Sequence, residues 1–254
     1  MQRAIRTVPT AQALVEKGNY RHFMEKEIYD QPDATQHTLS TYVDAVTGKV
    51  SAPGLDFSQF ERLQVVACGT ASYAGMIARY LFERLARLST DVEIASEFRY
   101  REPALGPATL ALAISQSGET ADTLAALRWC RARNVATAAL VNAHESTMAR
   151  EAEFFLPTNA GPEIGVASTK AFTSQLAALT ALAVAAARQR GHIDEAEEAR
   201  LAALLLETPR LIAESPSRCW SKSRCAPSLW RSPRPAMCST SAAARCSRWR
   251  WKGR

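Results

Sequence analysis

TLALAISQSGETADTLAALR, residues 109–128, is the stretch whose reading decides the fold. Thr109–Ser115 is an uncharged apolar run of strand length, and after a short polar turn it leads into a helix candidate at Asp122–Arg133. The same alternation extends outward on both sides. Upstream, Leu63–Ala67 is strand-like, Ile77, Leu81, Leu85 and Leu88 recur at helical spacing, and Val92–Ala95 is a weaker strand. Downstream, Thr137–Asn142 is a fourth strand, Ser146 is a plausible N-cap for a short helix through Glu151, and Phe154–Leu156 is a fifth strand. Ser168–Arg190 then carries Phe172, Leu176, Leu179 and Ala183 on one face, and Glu195–Leu206 reads as a further helix. Strand–helix repeats of this kind predict an α/β fold, a doubly wound parallel sheet flanked by helices. Its ligand crevice is expected at the carboxyl ends of the strands.

The flanks differ from this body. Residues 1–19 show little periodicity and read as a linker, while Asn19–Leu39 forms one predicted helix carrying Phe23, Met24 and Ile28 and interrupted at Pro32. From Ser215 to Arg254 there are eight Arg, two Lys and no acidic residue, a charge of +10, whereas the other 214 residues carry −4. The tail also holds four of the six Cys and four of the five Trp, so two compositions meet near Glu214. The expected domains are therefore a linker at 1–19, an α/β domain at 20–213 and a basic tail at 214–254. With 47% hydrophobic and 22% charged residues the chain has globular composition, which excludes a disordered, collagenous or coiled-coil protein. Leu176–Ala187, the longest apolar stretch, is too short to span a bilayer, and no apolar segment follows Arg3 and Arg6 as in a signal peptide. A cytoplasmic protein without membrane association is expected.

Three loops end an apolar run with small hydroxyl or glycine residues just before a helix. They are Ala67-Cys68-Gly69-Thr70-Ala71-Ser72, Ser115-Gln116-Ser117-Gly118-Glu119-Thr120 and Gly165-Val166-Ala167-Ser168-Thr169-Lys170. A helix N-terminus offers unpaired N–H groups and partial positive charge, so hydroxyls placed there suit a phosphate. For any one loop alone, simple N-capping is the plainer reading. Three loops converging on one sheet edge favour a phosphorylated small molecule. Neither G-x-G-x-x-G after a strand nor G-x-x-x-x-G-K-[ST] occurs, which argues against a dinucleotide or nucleoside triphosphate. His22, His37, His144 and His192 lack metal-ligand spacing, and neither metal nor cofactor is expected. Cys68 reads as a small buried residue and Glu119 as a structural carboxylate at a helix start. Lys170 is either an anion-neutralising group or a solvated first-turn residue.

These loops, with YRHFMEKEIYDQP (Tyr20–Pro32), ACGTASYAGMIARY (Ala67–Tyr80), VEIASEFRYR (Val92–Arg101), SQSGETADTLAALR (Ser115–Arg128) and NAGPEIGVASTKAFTSQL (Asn159–Leu176), resemble the sugar-isomerase (SIS) domain of the glucosamine-6-phosphate synthases, the glutamine–fructose-6-phosphate aminotransferases. The resemblance covers most of Tyr20 to about Leu206 in family order. It implies two SIS domains after a glutaminase domain, assembled as a homodimer. That enzyme takes ammonia from glutamine and converts fructose-6-phosphate to glucosamine-6-phosphate. By the same resemblance Ser115, Gln116, Ser117 and Thr120 hold the sugar phosphate, and Gly69, Thr70, Val166, Ala167 and Ser168 line the sugar. The family commonly reads CGTS where this chain has Ala71, and Ser72 is the nearest hydroxyl to replace the missing one. The family's base and lysine lie in the second SIS domain, so no catalytic residue is expected in this chain, which reads as an inactive fragment. Two alternatives stand beside this: a non-catalytic phosphosugar-binding module, and an SIS-type amino-sugar isomerase or deaminase without glutaminase.

The tail suggests how such a fragment arises. Regrouping the codons from Met237 to Arg254 one base back permits VLYLGRGTMFPLALEGA, which resembles the opening of the family's second SIS domain. The expectation is a frameshift near Glu214–Ser215 and no stable fold for Ser215–Arg254. The competing readings are a nucleic-acid-binding arm, from the Arg/Trp mixture, and a Cys metal site. The spacings Cys219-x5-Cys225 and Cys238-x7-Cys246 fit no usual zinc pattern.

Overall fold

Short apolar runs separated by helical stretches can bury both faces only as inner strands with helices on each side. The protein takes this form in a computed structural model that describes residues 16–220. Strands β1 (Arg62–Ala67), β2 (Ser89–Ile94), β3 (Thr109–Ser115), β4 (Ala136–Val141) and β5 (Phe154–Pro157) make one parallel sheet in the order β2-β1-β3-β4-β5. Every residue of β3, the central strand, is buried. From β1 the chain winds outward to β2, then crosses back to β3 and continues to β5. The winding therefore reverses between β1 and β3, whose ends lie side by side with Ala67 paired to Ile114. Such a switch point opens a crevice, because the connections leaving the two strands diverge to opposite faces.

The helices are α1 (Phe23–Tyr29), α2 (Gln31–Tyr42), α3 (Gly69–Leu81, ending in a π turn at Phe82–Ala86), α4 (Ala95–Arg101), α5 (Ala121–Arg131), α6 (Thr147–Glu151), α7 (Lys170–Gln189) and α8 (Glu195–Trp220). On one face α2, α3 and α7 close over Leu63, Val65, Leu112, Ile114, Leu140 and Leu156. On the other, α4 and α5 cover Val66, Ala111 and Ala113 with Phe98, Ala126, Leu127 and Cys130. Each large apolar side chain buried this way contributes about 1.5–3 kcal/mol.

Several boundaries differ from expectation for identifiable reasons. The single helix expected over Asn19–Leu39 is two helices broken at Asp30. Pro32 sits in the first turn of α2, where its missing N–H costs no hydrogen bond, and is not the point of interruption. Ala95 opens α4, a helix too short to show a period, and does not close β2. In α3 the buried residues are Ala71, Ser72, Ala74, Gly75 and Ala78, while Ile77 is 46% exposed. The helix approaches the sheet so closely that a Cβ on Gly75 would lie 2.8 Å from Val65 Cγ1, and only small residues fit there.

Helix α7 is long and apolar enough by composition to cross a bilayer, but 78% of its most apolar window is buried, as in a core helix. Helix α8 extends beyond the expected Leu206 to Trp220 and so runs six residues past Glu214. The chain divides into two units, Met1–Glu214 and Ser215–Arg254. Residues 221–254, on which most of the frameshift, zinc and nucleic-acid readings fall, lie outside the described residues, as do residues 1–15 of the expected linker.

Candidate functional site

The turn after β3 is held by its own hydroxyls. Ser115 Oγ lies 3.1 Å from Thr120 Oγ1 and accepts from the Gly118 N–H at 3.0 Å, while Ser117 Oγ accepts from the Glu119 N–H at 3.2 Å. Gly118 has φ +66°, the left-handed region that glycine adopts without strain. The outer rim of the turn is fastened to the β4–α6 connection. The Gln116 carbonyl accepts from the Asn142 and Ala143 N–H groups at 3.2 and 3.3 Å, and the Gly118 carbonyl accepts from Met148 at 3.2 Å. Glu119 accepts from the Thr147 N–H at 2.7 Å, and that bond holds its carboxyl below the usual carboxylate range. Its role is structural, as expected, although the helix it serves is α6.

The N-caps of these helices differ. Ser146 caps α6 in the usual way, accepting from the Ala149 N–H at 3.4 Å. Cys68 before α3, Thr120 before α5 and Thr169 before α7 make no such bond. The first-turn N–H groups of α3 and α5 thus have no acceptor from their own caps. Helix α7 is different: Glu163 Oε1 already accepts from Thr169 at 2.8 Å and Ala171 at 3.2 Å. The third loop therefore offers an exposed rim and not a helix N-terminus, because a carboxylate occupies that end.

The first two loops leave neighbouring strands and meet where Thr123 Oγ1 lies 3.8 Å from Cys68 Sγ. Gly69, at φ +58°, and Thr70 are exposed, as are Ser117, Val166 and Ala167; Gln116, Thr120 and Ser168 are half-buried and Ser115 is buried. The third loop follows β5, two strands from β3, and is tied from behind to α1.

Three side-chain readings change. Ser72 does not supply the hydroxyl absent at Ala71: it is 4% exposed and donates to the Gly69 carbonyl at 2.7 Å. Lys170 is neither solvated nor aimed at a ligand, being 3% exposed with its Nζ 3.2 Å from Asp30. Cys68 is half-buried, and among the described residues the fully buried thiol is Cys130, which burial pushes up to about 12. At pH 8 iodoacetamide is expected to modify Cys68 in the folded protein and to spare Cys130, since only an accessible thiolate reacts. Peptide mapping checks this, and equal modification of both would refute the burial. All four histidines are exposed, with His144 Nε2 2.7 Å from Asn159 Oδ1. Among the described residues no cluster of His, Cys, Asp or Glu has metal-binding geometry.

Sequence reading missed two supporting residues. Asn142, at the end of β4, accepts from Ala160 N–H at 2.7 Å and donates to the Gly161 carbonyl at 2.7 Å, shaping the start of the third loop's approach. A polar residue closing an apolar strand was the available signal. Glu27 is 2% exposed, and its signal was a charge next to Phe23, Met24 and Ile28 on the buried side of a short helix.

The chain is an α/β domain whose doubly wound sheet carries uncapped, hydroxyl-rich turns at its switch point. The SIS domain family profile matches residues 56–185, and the chain belongs to that family. It is 61% identical over 216 residues to the isomerizing glutamine–fructose-6-phosphate aminotransferase of Caulobacter vibrioides, covering 85% of this chain and 36% of that protein. The corresponding protein of Brucella abortus is 55% identical over 84% of this chain and 35% of its own length. Among solved structures, the C-terminal domain of glucosamine-fructose-6-phosphate aminotransferase from Francisella tularensis superposes with a TM-score of 0.73 at 39% identity, over 77% of this chain and 56% of that one. The chain spans about a third of the length of the curated relatives it matches.

Proposed function

We propose that this SIS domain is the sugar-phosphate-binding part of a glutamine–fructose-6-phosphate aminotransferase, with fructose-6-phosphate and glucosamine-6-phosphate as its ligands. Ser115, Gln116, Ser117 and Thr120 hold the phosphate, and Gly69, Thr70, Val166, Ala167 and Ser168 line the sugar. The observation that carries this reading is the Ser115–Thr120 turn, which gathers three hydroxyls at the start of α5, a helix whose N-terminus has no side-chain cap. Homology to proteins named for this reaction supplies the ligand class. The parent enzyme is a cytoplasmic homodimer serving amino-sugar biosynthesis.

Binding and turnover separate in this chain. Moving a proton between C2 and C1 needs a positioned base, and imine formation needs a free lysine. Glu119, Glu163 and Lys170 beside the loops are each committed to a structural partner. The 254-residue chain therefore binds hexose phosphate and does not convert it. Hydrogen bonds to a charged group contribute about 1.5–3 kcal/mol each, so the Ser115→Ala/Thr120→Val double variant is expected to bind fructose-6-phosphate at least about tenfold more weakly by calorimetry. Unchanged affinity would overturn the site, and formation of glucosamine-6-phosphate by the purified chain would overturn the division of roles.

A further inference from the structure

The third loop presents its sugar-lining residues outward. Val166 is fully exposed and Ala167 exposed, so burial of their side chains does little to fix where the loop sits. The two residues immediately before them are held from behind. Glu27, on α1 and 137 residues away, accepts from the Ile164 N–H at 2.5 Å and from the Gly165 N–H with both carboxyl oxygens, at 3.0 and 3.1 Å. The approach is close enough to need glycine: a Cβ on Gly165 would fall inside 3.0 Å of Glu27 Oε2 and 3.4 Å from Met24 Cα.

The carboxylate itself stands on a braced helix. Asp30, one turn on, pairs with Lys170 at 3.2 Å and with Lys26 at 2.8 Å, and Gln31 Oε1 accepts from Thr173 Oγ1 at 2.9 Å. Three residues of the segment 26–31 thus each take a partner between Ile164 and Thr173. The end of α1 and the start of α2 are set against the start of α7, and Glu27 projects from that support to the loop.

We propose that Glu27 is a positioning residue for sugar recognition: it sets the Gly165–Ser168 rim against the hexose while the phosphate turn at Ser115–Thr120 operates without it. The inference rests on the proposed sugar-phosphate function and adds a division within the site. Phosphate affinity resides in a turn closed by its own hydroxyls. Discrimination of a sugar phosphate from a bare phosphate resides in a rim held by a different element. By reciprocity, a sugar that orders the rim also tightens α1 against it.

Glu27→Gln retains size but replaces one acceptor with a donor facing backbone N–H groups, so the rim loses at least one bond. Calorimetry on the full 254-residue chain, with fructose-6-phosphate and inorganic phosphate as separate probes, reads the consequence. The expected result is a fall of about tenfold for fructose-6-phosphate and a change within about twofold for inorganic phosphate. Gly165→Ala, whose Cβ would wedge the rim away from Glu27, is expected to reproduce the same split. Equal losses for both probes, or no loss for either, would overturn the proposal. Amide hydrogen exchange at Ile164 and Gly165 keeps the two readings distinguishable. If wild type binds neither probe, the proposed function fails on its own. Glu27 is then judged by exchange: local acceleration in Glu27→Gln retains its hold on the rim, and unchanged exchange removes it.

Discussion

Gly118→Ala is expected to abolish measurable hexose-phosphate binding and to lower the stability of the domain by about 2–5 kcal/mol. Two costs combine. At φ +66° an L-residue meets about 1–2 kcal/mol of backbone strain. The new Cβ would also fall inside 3.0 Å of both Ser146 Oγ and Ser146 Cβ, and forcing such an overlap costs about 1–3 kcal/mol. Ser146 is 4% exposed and caps α6, so it cannot withdraw without releasing that cap. The turn must move instead, and with it the Ser115 and Thr120 hydroxyls. Urea unfolding and calorimetry with fructose-6-phosphate check both parts. The double variant Gly118→Ala/Ser146→Gly should recover stability in part, since it removes the overlap but leaves the strained φ. A single variant within about 0.5 kcal/mol of wild type would refute the argument.

Phe82→Ala is expected to cost about 3–5 kcal/mol while leaving binding by the remaining folded protein unchanged. Phe82 is fully buried where α3 passes into its π turn, and its ring lies 5.7 Å from that of Phe57. The neighbourhood is knit by Arg190, whose guanidinium donates to the Ala86 carbonyl at 2.9 Å and the Phe60 carbonyl at 2.5 Å, leaving little freedom to collapse into the space. For a domain of this size the loss corresponds to a fall in Tm of about 6–20 °C. Helix α3 starts at the carboxyl end of β1, so its far end lies away from the turns proposed to hold the sugar phosphate. Weakened sugar binding at a temperature where the variant is folded would contradict that separation.

These two variants mark different degrees of legibility. The strand at Thr109–Ser115 was readable because an uncharged run of that length has few other ways to be satisfied. Gly118 stood in a turn that the sequence marked as hydroxyl-rich, but its left-handed backbone emerged only in the structure. The buried face of α3 was not readable from hydropathy. Ile77 is the stronger apolar residue, yet Gly75 and the alanines face the sheet because helix and strand approach within the reach of a single methyl group. In the same way the hydroxyl of Ser72 looked available for a ligand, but the first turn of α3 returns it to the Gly69 carbonyl.

The sequence by itself determined the parallel α/β sheet, the turns at its carboxyl edge and the family to which the chain belongs. Each of these is written in neighbouring residues through periodicity, turn chemistry and contiguous motifs. Only the tertiary structure decided that Lys170 is paired with Asp30, that Glu163 fills the N-terminus of α7, and that Glu27 holds a loop 137 residues away. The strand order and the packing of α1 and α2 against α7 bring those groups together. A carboxylate's partner is set by that arrangement in space, which leaves no mark on the residues beside it in the chain.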